Sequence, residues 1–212
     1  MQDAAILIAS GVQKDGKRAI LGISVSLSEA ETHWRVFLED LVGRGLHGVC
    51  LIISDDHGGL EAARKMVFSG VPWQRCQFHL QQNAQSYVPR VGMRREVAED
   101  IRTIFGAPDQ GTAEKYLKET VKKYAVSAPK LADWMEVNLP EGFTVFSFPR
   151  DHWRRIRTTN SLERLSQEIK RRTRVVRVFP NEQSCLRLIS ALVMEIGEEY
   201  EFGRVYLEMG SG

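Results

Sequence analysis

The chain predicts an α/β fold, a sheet with crossover helices, on three observations. Short apolar, β-prone runs alternate with amphipathic stretches in its first part, an Asp-Gly pair separates the first two runs, and a helical middle segment interrupts the pattern. "AAILIASGV" and "RAILGISVSL" are the first two runs; the "QKDGK" between them holds Asp15-Gly16, which suits a tight reversal, so they pair as a hairpin. In "SEAETHWRVFLEDLVGRGL", Ser28 stands three residues ahead of Glu31 as a capping box, and Trp34, Phe37, Leu38 and Leu41 fall at helical spacing until Gly45 closes the element. "GVCLIIS" is a short, wholly apolar strand, "GGLEAARKMVF" the helix behind it, and "WQRCQFHL" another strand running into a helix.

From about Val91 to Pro149 the composition turns to Ala, Glu and Lys, with breaks at Gly106-Ala107-Pro108 and Leu139-Pro140. Ile101, Ile104 and Phe105, then Tyr116, Leu117 and Tyr124, recur at helix-like intervals and require something to pack on, so this is an insertion and not a linker. The expected division is therefore 1–90, 91–149 and 150–212.

A chain of 212 residues, 43% hydrophobic and 26% charged, can bury a sizeable core. No apolar run approaches the ~20 residues of a membrane span, and the start lacks the basic region and cleavage pattern of a secretory signal, so the expected setting is cytoplasmic, with no membrane partner. The odd set Cys50, Cys76 and Cys185 has no short-range framework and points to reduced thiols. Net charge is only +2, but Arg150 to Arg177 holds ten Lys or Arg against Asp151, Glu163 and Glu168, a local +7 that leaves −5 for the remainder. Such a density suits phosphate neutralisation; the plainer alternative is a solvated basic helix face.

Three places carry chemistry. In "LIISDDHGGL" an apolar strand ends in Asp55-Asp56, at the edge where open α/β sheets place ligands, and alternation lets at most one of the two face a site. The competing role is capping of the helix that begins near Gly58. "CQFH" sets Cys76 and His79 at C-x2-H spacing, half of a zinc site, with no second pair at any paired spacing. Bound zinc is therefore not expected; a buried thiol and a hydrogen-bonded imidazole supporting a neighbouring carboxylate is the commoner arrangement. In "TTNSLERLSQEIKRRTRVVRVFPN", Asn160 suits an N-cap with Glu163 at N3. As a helix, Leu162, Leu165 and Ile169 form a core stripe, while Glu163, Gln167, Lys170 and Arg174 share one flank. A carboxylate among cations that hold DNA is placed to share a divalent ion with another carboxylate, and the ion would activate water for an in-line displacement.

At these residues the chain resembles a known family. "TTNSLERLSQEIKRRTRVVRVFPNEQSCLRLISALVMEIGEEYEFGRVYL" resembles the C-terminal part of the Mutator-like bacterial insertion-sequence transposases, and "HWRVFLEDLVGRGLHGVCLIISDDHGGLEAAR" and "WQRCQFHLQQN" resemble their middle part in the same order. The resemblance implies a ribonuclease-H-like core, a mixed sheet flanked by helices, with an α-helical insertion before the last acid. It implies a DDE triad that binds two Mg²⁺ or Mn²⁺ and carries out DNA cleavage and strand transfer at insertion-sequence ends. Asp55 matches the second acid and Glu163 the third; Cys76 and His79 match the family's C-x2-H signature, and Lys170 its basic residue beyond the glutamate. The implied partners are double-stranded DNA, at transposon ends and target, and a homo-oligomer or full-length transposase. The implied DNA-facing residues are Arg154, Arg155, Arg157, Asn160, Lys170, Arg171, Arg172 and Arg174.

The sequence departs from that pattern in places. The family's first aspartate ends a strand upstream of the segment matched by "AAILIASGV", and Asp3 lies at the start of a strand, so a truncated transposase, inactive alone, is expected. Asp56 replaces a small residue, Gln81 and Gln82 stand where a basic residue often precedes Asn83, and Ser166 replaces asparagine. A non-catalytic remnant that binds DNA or transposase as an inhibitor is the competing expectation, and a zinc-stabilised regulator built on Cys76 and His79 a weaker third.

Overall fold

Residues 5–26, 30–173 and 182–209 are described by a computed structural model of the chain. The first two apolar runs form β1 (Ala5–Val12) and β2 (Arg18–Ser26), antiparallel from Ala5↔Ser26 to Val12↔Arg18 with a register shift between Ala9 and Ser10. The turn is the Asp-Gly reversal expected: the Lys17 N–H bonds Asp15 Oδ1 at 2.9 Å, the Gly16 N–H bonds the Gln13 carbonyl at 2.9 Å, and Gly16 has φ +78°. Gly16 is needed twice over. Its carbonyl accepts the N–H groups of Tyr206 and Leu207, and a Cβ would fall 2.0 Å from the Leu207 oxygen.

Both faces of the hairpin are covered, which explains why its strands are apolar at nearly every position. Leu7, Ala9 and Leu21 pack with Phe37, Leu38 and Leu41 of α1 (Glu31–Gly43) and with Leu60 and Ala63 of α2 (Gly58–Val67). Ile6, Ile8, Ile20, Ile23 and Val25 pack with Leu165 and Ile169 of α8 (Asn160–Thr173) and with Cys185, Ile189, Val193 and Ile196 of α9 (Glu182–Glu201). The helix–hairpin–helix layering thus follows from strand alternation with one break, the register shift that lets Ile20 and Ile23, three residues apart, share a face. Ser28 of the expected capping box lies outside the described residues; α1 begins at Glu31 with Ala30 at the N-cap, so Glu31 is the first helical residue and not the third.

The other strands are β3 (Ile52–Ser54) and β4 (Trp73–Arg75), parallel in the register Ile52↔Trp73, Ile53↔Gln74, Ser54↔Arg75. Here the expectation of one sheet is corrected: among the described residues there are two two-stranded sheets, β1–β2 and β3–β4. The apolar run "GVCLIIS" contributes only three residues to its ladder, too few to show in the sequence which strand it joins.

After β4 come α3 (Gln77–Ala84), α4 (Arg94–Phe105), α5 (Gln110–Tyr124), α6 (Pro129–Asn138) and α7 (Arg150–Ile156). Ile101, Ile104, Phe105, Leu117 and Tyr124 are buried in one cluster with Leu80, Leu131, Met135 and Leu139, and Tyr116 packs against it. Local signals set the boundaries: Asp109 caps α5 by accepting the Thr112 N–H at 2.8 Å, and Pro129 opens α6, where a missing N–H costs nothing. The chain divides into two compact units: the described residues of Met1–Val49, Asp56–Val71 and Asn160–Gly212 form one, and Cys50–Asp55 with Pro72–Thr159 the other.

Gly16→Ala forces an L side chain into a left-handed turn against a carbonyl. It is expected to lower the stability of the chain by about 1–2 kcal/mol or more, measured as an earlier urea midpoint with unchanged slope.

Candidate functional site

Parallel pairing brings two strand ends level. The ladder of β3 and β4 continues one step through the Cys76 N–H, which bonds the Ser54 carbonyl at 2.9 Å, so Asp55 and Cys76 leave adjacent strands side by side. Cys76 occupies the N-cap position of α3, and His79 stands three residues on, on the same side of the first turn. The imidazole thereby returns to the strand ends: His79 Nδ1 lies 2.5 Å from Asp55 Oδ1. One ligand atom from each of Asp55, Cys76 and His79 can be chosen so that all lie within 4.8 Å of one another.

The surroundings hold these groups in place. Trp73 Nε1 donates to Ser54 Oγ at 2.9 Å, and that hydroxyl donates to the Asp55 carbonyl at 2.8 Å. The buried Arg75 guanidinium donates to Glu141 at 2.7 Å and to Asn138 at 3.1 Å, and Gln74 Oε1 accepts the Val145 N–H, which ties β4 to the segment after α6. The Cys76 side chain is fully buried, and its sulfur accepts both the N–H of Thr159 at 3.4 Å and the hydroxyl of Thr159 at 3.3 Å. Sequence reasoning missed Thr159. The only available signal was the pair of threonines in "TTNSLE", which gives no hint of a sulfur 83 residues away. The Gln77 N–H bonds the Arg157 carbonyl at 2.9 Å, a second tie to the same strand of backbone.

Neither Asp55 nor Asp56 holds the N-cap position of α2: His57 stands there, and its side chain makes no capping hydrogen bond. Asn160 is the first residue of α8 instead of its N-cap, and Glu163, half-buried, lies in the first turn. The expected stripe is present, with Leu165 and Ile169 buried and Leu162 packed against them. Asp55, Cys76 and His79 belong to one compact unit and Glu163 to the other. Of the expected DNA-facing residues, Arg154 and Arg155 on α7 and Arg157 after it are exposed, as are Asn160, Lys170 and Arg171 on α8; Arg174 lies outside the described residues.

Part of the basic charge is occupied within the protein. Glu168 takes two bonds from Arg171, at 2.8 and 2.7 Å, and one from Arg172 at 2.7 Å, while Arg172 also reaches Glu195 on α9 at 2.8 Å. The hydrogen bonds from Arg171 and Arg172 hold the Glu168 carboxyl down to about 2 from an ordinary 4.5. A depressed carboxyl favours the folded form above its unfolded value and loses that contribution as pH falls through the folded one.

With this geometry in view, the family is shown. Residues 1–203 match the family described as Transposase, Mutator family, and the chain belongs to it. It is 55% identical over 205 residues to the transposase for insertion sequence element IS406 of Burkholderia multivorans, covering 97% of this chain and 53% of that protein. To the transposase for ISRM5 of Rhizobium meliloti it is 40% identical over 97% of this chain and 51% of the relative, and to that for IS1081 of Mycobacterium tuberculosis 35% over 95% and 48%. The chain thus spans about half the length of the curated relatives it matches. No helix among the described residues is long and apolar enough to cross a membrane.

Acidification from about pH 4.5 to about 2 is expected to weaken the last turns of α8 as Glu168 takes up its proton and loses its bonds to Arg171 and Arg172, seen as faster amide exchange in that part of the helix. Glu168→Gln should flatten that acid dependence, and it should strengthen salt-sensitive DNA binding by leaving Arg171 for phosphates, while Arg172 keeps its bond to Glu195.

Proposed function

We propose that this chain forms part of a ribonuclease-H-like transposase core that cleaves and joins DNA at insertion-sequence ends, with Asp55 and Glu163 as two of its catalytic carboxylates. The observation that carries this reading is the placement of Asp55 at a strand end beside the C-x2-H pair, the position the family motif assigns to an acid of the triad. The Asp55 side chain is 51% exposed, so its carboxylate can meet a hydrated ion without first being stripped of water.

Oxygen donors of this kind suit Mg²⁺ or Mn²⁺; Asp55 would hold an ion, and Glu163 is the second carboxylate that the family motif assigns to this role. When bound, it polarises the phosphodiester and lowers the pKa of an attacking water. The chain's own residues do the rest. His79 fixes the direction of the Asp55 carboxylate through their contact, and the bond from Ser54 Oγ fixes the backbone behind it. Arg154, Arg155, Arg157 and Lys170, all exposed, would offer cations to the phosphates, and Asn160 a neutral donor. A homo-oligomer or a full-length transposase is the protein partner in this reading.

The test pairs binding with chemistry. The chain is expected to shift duplex DNA with an affinity that falls steeply with salt, and Arg154→Ala or Arg155→Ala should each lower the slope of log affinity against log salt by about one. Mn²⁺-dependent nicking of a supercoiled plasmid by a full-length transposase carrying this segment should disappear in both Asp55→Asn and Glu163→Gln while the DNA shift persists. Nicking that survives Asp55→Asn would overturn the assignment of that acid. Suppression of that nicking when the unmodified chain is added would favour the other reading, a DNA-binding or transposase-binding inhibitor.

A further inference from the structure

We propose that Asp55, Cys76 and His79 form a binding site for one thiophilic divalent cation of the zinc class. The binding does not depend on the chain's role in DNA chemistry. The C-x2-H pair alone is half a site; the parallel strands supply what the sequence lacked, a third ligand 21 positions before the cysteine, so that oxygen, sulfur and nitrogen donors all lie within 4.8 Å of one another. Tetrahedral zinc, with bonds near 2.3 Å to sulfur and 2.0–2.2 Å to nitrogen and oxygen, sets its ligands about 3.3–3.6 Å apart. The His79–Asp55 separation of 2.5 Å must therefore open by about 1 Å, and a spacing at the 4.8 Å bound would close by about as much. The half-exposed Asp55 can open its contact with His79 by a small side-chain rotation.

The sulfur is the second and independent observation. Cys76 is fully buried, yet two donors, the N–H and the hydroxyl of Thr159, are aimed at it. A neutral thiol is a weak acceptor that gains little from two donors, whereas a metal-bound thiolate carries the charge they stabilise. Donors of this kind are the usual outer support of a thiolate ligand. The set of one sulfur, one nitrogen and one oxygen also sorts the ions. Mg²⁺ takes oxygen in octahedral array, while Zn²⁺, Co²⁺ and Cd²⁺ accept the mixture. Three protein ligands leave a fourth position for water or another donor. One consequence does rest on the function proposed above: an ion held here engages the carboxylate of Asp55, so zinc would compete with the harder ion for it.

Cobalt(II) titrated into the reduced, full chain tests the site directly. One equivalent is expected to give a thiolate-to-cobalt charge-transfer band together with intense tetrahedral visible bands, both displaced by one equivalent of Zn²⁺. Cys76→Ser should abolish the charge-transfer band, and His79→Ala and Asp55→Asn should each weaken the ion severely. Thr159→Val should cost about tenfold in affinity by removing one donor to the sulfur. The Cys50→Ser, Cys185→Ser double variant leaves Cys76 as the one thiol and should keep the band whole. No band in that folded double variant, or a band that survives Cys76→Ser, overturns the proposal. DNA nicking takes no part in this readout, so failure here and failure of the strand-transfer reading are separate results.

Discussion

Three residues of parallel pairing hold the candidate site together. Ile52–Ser54 beside Trp73–Arg75, extended by the Cys76 N–H on the Ser54 carbonyl, set the last residues of two strands at one level. Everything chemical here follows from that: Asp55 and Cys76 become neighbours, and the first turn of α3 folds His79 back onto the carboxylate. So short a ladder contributes little by itself, which is why its members are fastened from behind. Arg75 grips Glu141 and Asn138, Gln74 takes the Val145 N–H, and Thr144 Oγ1 donates to the Trp73 carbonyl. The polar side chains of β4 act as anchors to α6 and the turns after it, as buried Gln and Arg side chains need hydrogen-bond partners.

Much of the fold was legible where periodicity and turn chemistry are strong. The hairpin follows from two apolar runs around Asp15-Gly16, the packing of Leu165 and Ile169 from helical spacing, and the burial of Ile101, Ile104, Leu117 and Tyr124 from the same rule. What sequence could not supply was pairing at a distance. A run such as "GVCLIIS" announces a strand but not its neighbour, so the separation into two small sheets came only with coordinates. Boundaries also slipped by a residue, as Asn160 shows: a residue suited to capping was taken into the helix itself.

The candidate site was half legible for the same reason. The spacing of Cys76 and His79 on one turn is local, and an acid at a strand end is a recognisable position. The contact between His79 and Asp55 joins residues separated by a whole helix, and the bonds from Thr159 to sulfur span still more of the chain. Charge shows the converse failure. Counting arginines in "KRRTR" treats all as available to a polyanion, whereas Glu168 and Glu195 already claim two of them, so formal charge overstates the field this segment offers to DNA.

The hairpin with helices on either face imposes one more condition on the chain. Because neighbouring residues of β1 look to opposite layers, inserting a single residue into the strand would send Ile6 and Ile8 toward α1 and α2 and Leu7 toward α8 and α9, exchanging side chains of different shape between two finished interiors. An even change preserves the assignment of faces and an odd one scrambles it. The odd step already present, an extra β2 residue opposite Ala9 and Ser10, is taken up by a break in the ladder's register that restores the faces beyond it.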